Sequence, residues 1–513
     1  MRLAVFKPGM TTLPRLHRAL AGLAAALGVL TLCSTASADP EKVDFFSAPY
    51  ELSGALGPAG REETLTELDA LGVGVVRTVV YWRQIAPSPD ASSMPAGFDP
   101  RDPKTYGANG ANWGQVDAVV RGATARGMEV SLVLSGQPPT GRVPRWASRD
   151  PVTQSDPDPA KFADFAYAVG RRYGGVAGSI GYARYISIWN EPNLTLFLNA
   201  ASSRAPGSAV PALYRQLIAA GQTGLSSAGW RGVLLIGETA PTGGGKKALD
   251  PVPFFRRTLC LDKRFRPTGG CPDVAAAGWA HHPYSFAIPP FRPPFYRGQI
   301  SFANQHLLQR GINRARRAGV LLPGAGLWDT EFGYPVKPAT FVGVSPRRQA
   351  EYNAIAEYIA YRSPGVASFA QYLLRDDRAG FGPLGAFASG LCEFGVPAES
   401  LYAGDRICRP AFAGFRTALV ARSRGRCVSR ARGICAQRKQ TARVQLWGHI
   451  RPATSPTEVV VRYRDRSGGT RSLTPVTTDA AGYFSFKAKN RSGRRWSISW
   501  NGFDGPFVRP YAF

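Results

Sequence analysis

Residues 185–193 read YISIWNEPN, an apolar run that ends in a tryptophan, an amide and a carboxylate and is stopped by Pro192. A short apolar stretch bounded by proline is the pattern of a buried strand, and its polar residues are delivered just beyond the strand's C-terminal end. Seven further stretches follow the pattern: Val43 to Phe46, Val73 to Val80 (VGVVRTVV), Met128 to Leu134 (MEVSLVL), Val233 to Ile236 (VLLI), Val274 to Ala280, Gly326 to Trp328 and Ala367 to Leu374 (ASFAQYLL). Between them lie amphipathic stretches. The clearest is Lys161 to Tyr173, where Phe162, Phe165, Ala166, Val169 and Tyr173 recur at helical spacing behind Asp-Pro dipeptides that supply turn and cap chemistry. This alternation predicts βα units and a parallel sheet. Eight strands with crossover helices in residues 39–420 fit a (β/α)8 TIM barrel with long loops. A doubly wound open sheet is the alternative. It usually carries a glycine-rich phosphate loop after its first strand; none follows Phe46, and Gly243 to Gly245 is too short and badly placed.

The 513 residues are 44% hydrophobic and 19% charged, a globular composition in a chain long enough for more than one domain. Arg2, Lys7, Arg15 and Arg18, the apolar stretch Leu20 to Leu32 and the small residues Ala36-Ser37-Ala38 predict a signal peptide over residues 1–38, cut before Asp39. An uncleaved anchor is the competing reading, but the apolar stretch falls short of the roughly 20 residues a spanning helix needs. Cys33 makes a poor lipid anchor, because Leu32 precedes it where a small residue is expected. No later apolar run is long enough to span, so a secreted chain without a membrane span is expected. Six cysteines remain: Cys260, Cys271, Cys392, Cys408, Cys427 and Cys435. An even number in an exported chain reads as disulfides, with nearest neighbours as one of several pairings. A zinc site is the alternative, without CxxC or a histidine cluster to support it.

The net charge is +28, and residues 421–513 hold 19 basic side chains against four acidic ones. Residues 421–443 (ARSRGRCVSRARGICAQRKQTAR) contain eight basic residues and no acid, which marks a basic linker and a boundary. Such a region suits contact with an anionic polymer or cell wall; a solvated linker in an Arg-rich chain is the plainer reading. Nucleic acid is not an expected partner, since no recognition motif is present. From Val444 the hydrophobic period becomes two, in Val444 to Ile450, Glu458 to Tyr463, Tyr483 to Lys487 and Trp496 to Trp500, so residues 444–513 are expected as a small β-sandwich. Trp447, Trp496 and Trp500 would make a carbohydrate-binding face, or pack between the sheets.

In a barrel of this kind the chemistry sits where strands end. The fourth strand delivers Glu191, and the seventh, through Leu327-Trp328-Asp329-Thr330, delivers Glu331 to the opposite side of the same mouth. Two facing carboxylates are the machinery of glycoside cleavage, one as proton donor and one as nucleophile. Trp189-Asn190-Glu191-Pro192-Asn193, with Glu331 about 140 residues later before Phe332-Gly333-Tyr334, resembles the clan A glycoside hydrolases, retaining (β/α)8 enzymes such as those of families 5 and 39. The resemblance covers roughly residues 43 to 420. It implies Glu191 as general acid/base, Glu331 as nucleophile, Asn190 as the amide that holds the sugar 2-hydroxyl, Arg77 as partner of the nucleophile, and His282 with Tyr284 beside it. It also implies a β-linked polysaccharide or oligosaccharide as substrate and no metal or organic cofactor.

Where many clan members place a tryptophan after the eighth strand, this chain has Gln371-Tyr372-Leu373-Leu374-Arg375, so Tyr372 or Arg375 is expected in its stead. Arg375 would suit an acidic or heavily hydroxylated sugar, or pair with Asp376 or Asp377. Trp82, Trp146, Trp279 and Trp328 are candidate sugar platforms or ordinary core. Glu238, after the fifth strand, is expected to be structural or to line a subsite, and His281 to be the exposed member of its pair. Two other functions share these features. One is a non-catalytic carbohydrate-binding protein on a retained barrel, against which the two intact carboxylates argue. The other is a transglycosylase working through the same glycosyl-enzyme intermediate.

Overall fold

Eight parallel strands surround the interior: β1 (Val43–Ser47), β2 (Val75–Tyr81), β3 (Glu129–Ser135), β4 (Tyr185–Ile188), β5 (Val233–Thr239), β6 (Gly278–His281), β7 (Gly326–Asp329) and β8 (Ser368–Tyr372). Each pairs with the next from β1 to β7, and β8 returns to pair with β1. The ring closes just ahead of β8, where Leu327 N–H donates to Gly365 O at 2.9 Å and Ala367 N–H donates to Leu327 O at 2.7 Å. All eight stretches picked out by their apolar runs are strands of the barrel. The computed structural model describes residues 42–200, 206–243, 248–271, 274–337, 342–377, 387–393, 408–431, 434–439 and 441–513. The expected signal peptide, and Gly244 and Gly245 of the glycine stretch, lie outside them. No helix among the described residues is long and apolar enough to cross a membrane.

The helix expected from Lys161 onward runs Pro159–Tyr173. Asp158 caps it by accepting from Ala160 N–H, Pro159 opens it, and Phe162, Phe165, Ala166, Val169 and Tyr173 are all buried. It packs on Trp82, which stacks on Phe165 at 5.2 Å and meets Trp146 edge-on at 6.2 Å.

Because strand side chains alternate, every second residue points into the barrel. One inward layer is apolar, built from Phe45, Val75, Tyr185, Leu235, Ala280 and Ala370, with Trp328 packed against it. Two residues further along the same strands come Ser47, Arg77, Ser187, His282, Tyr372 and Thr330. The chain thus moves from a packed plug to a polar layer in one step of the pleat.

The C-terminal region is a β-sandwich. Its strands are β9 (Thr417–Ser423), β10 (Arg426–Ala431), β11 (Ile434–Lys439), β12 (Arg443–Ile450), β13 (Glu458–Asp465), β14 (Gly468–Ser472), β15 (Val476–Thr477), β16 (Tyr483–Lys489), β17 (Arg495–Trp500), β18 (Phe503–Asp504) and β19 (Tyr511–Ala512). One sheet runs β16-β12-β9-β19 and the other β14-β13-β17-β18, with β15 on β13. Residues 421–443, expected as a basic linker, include strand residues. They carry the end of β9, which pairs with β12, and the separate two-stranded ribbon of β10 and β11. On β9 the alternating apolar residues Leu419 and Ala421 complete the sandwich core beside Leu446 and Ile498.

Two of the expected disulfides are present, Cys260–Cys271 and Cys392–Cys408. Cys427 and Cys435 fall on β10 and β11, whose side chains lie outside the described set.

Barrel and sandwich meet across a buried ionic cluster. Arg451, after β12, donates from Nε to Asp44 Oδ2 on β1 at 2.7 Å and from Nη2 to Glu357 Oε1 at 2.6 Å, and His449 Nδ1 lies 2.5 Å from the same Glu357 oxygen. Burial opposes ionisation of Glu357, yet the Arg451 charge outweighs it and holds the carboxyl below its ordinary range. Trp447 packs on Tyr358 and Tyr361 of the helix Pro346–Tyr361, and Trp496 fills the sandwich core, so neither belongs to an exposed sugar-binding face. Removing one partner of a buried ion pair strands the other, at about 3–5 kcal/mol. Arg451→Met, which leaves Asp44 and Glu357 unneutralised, is therefore expected to lower the unfolding free energy by about that much, as measured by urea denaturation at pH 7.

Candidate active site

The polar layer converges at the C-terminal mouth. β4 ends at Ile188, and Trp189 and Glu191 then adopt left-handed backbone, φ 63° and 40°, as does Glu238 at the end of β5, φ 42°. Such conformations cost of order 1–3 kcal/mol each for non-glycine residues and persist only where the surroundings fix them. Here Trp189 N–H donates to Leu134 O at 2.8 Å, the Trp189 indole donates to Phe197 O at 2.6 Å, and Glu191 N–H donates to Glu238 O at 3.0 Å. The resulting tight turn brings both Asn190 and Glu191 into the mouth.

Arg77 sits at the centre with 2% of its surface exposed. It donates from Nη1 to Glu331 Oε1 at 2.7 Å and from Nη2 to Asn190 Oδ1 and Glu238 Oε2, both at 3.0 Å. Tyr284 donates its hydroxyl to Glu331 Oε2 at 3.1 Å. His282 places Nδ1 2.8 Å from Glu191 Oε1 and 3.5 Å from Glu331 Oε2, and Nε2 2.8 Å from Glu238 Oε2. Glu238 also accepts from Ser187 Oγ at 2.6 Å and Thr330 Oγ1 at 2.8 Å.

Exposure separates these groups into two kinds. The side chains of Glu191 and Glu331 each keep 10% of their surface, while those of Glu238 and His282 keep none. Only the first two carboxylates can meet a ligand in the mouth. One oxygen of each lies within 4.8 Å of the other.

Their environments differ. Burial raises the Glu191 carboxyl above its ordinary range, against the pull of the nearby His282. Glu238 is fully buried, but the Arg77 charge and the donors around it override desolvation and hold it at about 2. Burial would discharge His282, but the Glu331 charge and the bonds to Glu191 and Glu238 override it and lift the ring to about 10. The adjacent His281 is pushed down to about 3 by burial and by the His282 charge. Contrary to expectation, both histidines are buried. His281 faces the other way, with Nδ1 2.9 Å from Thr239 Oγ1 and Nε2 3.2 Å from Ile300 O.

The structure brings together Arg77, Asn190, Glu191, His282, Tyr284 and Glu331. Tyr372 joins them, its ring edge-on to Tyr284 at 6.4 Å. Trp82 and Trp328 are not part of the group. Trp82 is a core residue of the β2 side, and Trp328 lies in the apolar layer, across Gly278, where a Cβ would come within 2.3 Å of its ring. Trp146 and Trp279 are core as well. Arg375 faces away from the mouth and pairs with Glu67 at 2.7 Å and Glu51 at 3.7 Å, while Asp376 pairs with Arg409. Tyr81 was not singled out, although it stands two inward steps beyond Arg77; burial and the Glu331 charge lift its hydroxyl to about 12. Inward parity along β2 was the signal that could have found it. The same parity points to Ser187 and Thr330.

Glu191, His282 and Glu331 could in principle ligate a cation. The donor set does not fit one. A histidine protonated on both nitrogens offers no lone pair, and the Arg77 guanidinium already opposes Glu331 at 2.7 Å.

No family model and no curated protein matches the sequence. Among solved structures, the chain is similar to a family 39 glycoside hydrolase from the gut symbiont Bacteroides cellulosilyticus, at 12% identity over 88% of this chain and 80% of that one, TM-score 0.46. It is similar to the endo-β-1,4-mannanase from Thermotoga petrophila, at 10% identity over 92% and 98%, TM-score 0.43. A third such structure is the β-glycosidase from the hyperthermophile Thermosphaera aggregans, at 15% identity over 73% and 95%, TM-score 0.46. Likenesses this distant leave the function to be read from the chain's own residues.

The electrostatics carry a pH consequence. His282 rises from an ordinary 6.5 to about 10 on folding, so the stability it contributes is present in full below pH 6.5 and lost as pH climbs through 10. The unfolding free energy is expected to fall between pH 7 and 10, and His282→Gln to flatten that fall, as read from urea denaturation at pH 6, 8 and 9.5.

Proposed function

We propose that the protein is a secreted retaining glycoside hydrolase that cleaves β-linked polysaccharide or oligosaccharide by double displacement. The observation that carries this is the pair Glu191 and Glu331, facing each other with oxygens within 4.8 Å. Retaining enzymes hold their two carboxyl groups about 5–5.5 Å apart, whereas inverting enzymes need about 6.5–9.5 Å to admit a water.

The roles follow from the environments. Glu331, the proposed nucleophile, is held in place by the Arg77 guanidinium at 2.7 Å and the Tyr284 hydroxyl at 3.1 Å. Glu191, raised by burial, holds the proton that the leaving oxygen takes. Attack of Glu331 on the anomeric carbon breaks the glycosidic bond, and the proton passes from Glu191 to the departing oxygen. Glu191, now a carboxylate, takes a proton from water, which attacks the anomeric carbon and releases Glu331. Asn190, its carbonyl fixed by Arg77, presents its amide N–H to a sugar hydroxyl. Tyr372, edge-on to Tyr284 at 6.4 Å, is the proposed platform for the sugar ring. The two disulfides suit an oxidising compartment and support export. The excess of positive charge in residues 421–513 suits attachment to an anionic polymer or wall.

The test is product release by the purified mature chain from aryl β-glycosides and β-linked polysaccharides. Glu191→Ala is expected to lower kcat/KM by roughly 10²–10⁴-fold on substrates with poor leaving groups. Glu331→Ala should abolish turnover, and azide should restore part of it with a glycosyl azide of inverted anomeric configuration. Binding of polysaccharide by the wild type without any product would overturn the proposal in favour of a non-catalytic binding protein.

A further inference from the structure

The two carboxylates that reach the mouth do not account for the sealed group behind them. Glu238 is reached by donors from four other strands or their ends: Arg77 on β2, Ser187 on β4, His282 after β6 and Thr330 after β7. With no exposure, it cannot touch a substrate. His282, equally sealed, has one nitrogen on Glu238 and the other aimed between Glu191 and Glu331, at 2.8 and 3.5 Å.

Resting on the double-displacement reading above, we infer that Glu238 is a positioning residue whose fixed negative charge keeps His282 doubly protonated. The Nδ1–H of His282 then serves as a single donor shared by whichever of Glu191 and Glu331 carries the negative charge.

The charges balance through the cycle. Before attack the buried group comprises Arg77 and His282 as cations, Glu238 and Glu331 as anions and Glu191 as a neutral acid, which sums to zero. After attack Glu331 is a neutral ester and Glu191 is an anion, having given its proton to the leaving oxygen. The sum is again zero. The negative charge has moved from one side of the His282 N–H to the other, and neither the imidazolium nor Glu238 changes protonation. In a low-dielectric interior a net charge would be expensive, so a cycle that never creates one needs no compensating rearrangement. Every ionisable group that faces the ring enters this account. Glu191, Glu238 and Glu331 approach it from β4, β5 and β7. Arg77 lies behind two of them, Tyr284 donates to Glu331, and Asp329 and His281 flank the ring from β7 and β6. Asp329 is fully buried, and that burial lifts its carboxyl well above the ordinary range.

The test has one arm that needs no substrate. With ¹³C/¹⁵N-labelled histidine and His282→Gln for assignment, the ring of His282 is expected to stay doubly protonated from pH 5 to 8.5 in the wild type. Glu238→Gln keeps the shape and removes the charge, and should lower the ring's titration by about one to three pH units; Glu238→Asp should restore most of it. A wild-type ring that is neutral at pH 7 overturns the inference whether or not any variant folds. So does a ring that titrates identically in folded Glu238→Gln. The second arm uses an aryl β-glycoside that the wild type hydrolyses. Once the His282 ring of Glu238→Gln has lost its proton, the neighbouring Glu191 keeps its own to higher pH, so the alkaline limb of kcat/KM is expected to move upward across the lowered titration of the ring. A purely structural role for Glu238 would lower the amplitude and leave the limb in place, which would also overturn the inference. Should the protein hydrolyse nothing, the double-displacement reading fails while the first arm still reports on the Glu238–His282 pair.

Discussion

A guanidinium sealed inside the barrel sets the terms for the rest of the site. Taking Arg77 out of water costs several kcal/mol, and that cost is offset only where anions and acceptors sit at bonding distance in a fixed geometry. The barrel provides three, from the ends of three different strands: Glu331, Glu238 and Asn190, at 2.7 to 3.0 Å. Arg77 reaches Glu331 and Glu238 through separate nitrogens, so the guanidinium plane fixes where both carboxylates stand. Glu331 is thereby aimed. Glu238 is left with lone pairs that no water can reach, which Ser187, Thr330 and His282 fill. The protonated imidazole follows from the buried carboxylates, and the carboxylates from the guanidinium.

Such a network works only if its members are held still, and the backbone shows how. Trp189, Glu191 and Glu238 all occupy left-handed conformations that non-glycine residues avoid. The Glu191 amide donates to the Glu238 carbonyl, so the strained turn after β4 and the strained end of β5 brace each other. Glu238 therefore ties the two strand ends together through its main chain as well as through its side chain. Left-handed backbone at three positions of one cluster, each held by its neighbours, suits a preorganised site.

Much of this was legible in the sequence because it depends on period two and on strand ends. The eight apolar runs became the eight strands, and Glu191 and Glu331, placed by the ends of the fourth and seventh, do face each other. Side-chain parity was equally readable, since Arg77, Ser187, His282, Thr330 and Tyr372 stand one inward step beyond the apolar layer. What could not be read was where long side chains turn. Arg375 looked free to meet a sugar, but Glu51 and Glu67, more than 300 positions earlier in the chain, claim it. Trp82 and Trp328 were expected as sugar platforms, yet their ring area is buried against Phe165 and in the apolar layer, because a tryptophan close to a packed core gains more from burial than from exposure. The charge of residues 421–443 suggested a linker, while the alternation of Leu419 and Ala421 already belonged to a strand that composition alone did not separate from its surroundings.

The C-terminal sandwich bears on the site through the same economy of buried groups. Its aromatic and basic residues at the junction, Trp447, His449 and Arg451, are committed to β1 and the helix Pro346–Tyr361. Farther along, Arg509 and Tyr511 bind Glu351 near the start of that helix, and Phe513 stacks on Phe291 at 4.8 Å. Phe291 belongs to the segment that leaves β6 carrying His282 and Tyr284, and the Gln299 amide of that segment donates back to Tyr284 O. The end of the sandwich thus braces the outer side of the loop whose inner side holds the imidazolium and the tyrosine hydroxyl. On the double-displacement reading, the donor between the two carboxylates tolerates little movement. Fixing the loop from both sides is the mechanical counterpart of fixing His282 with Glu238.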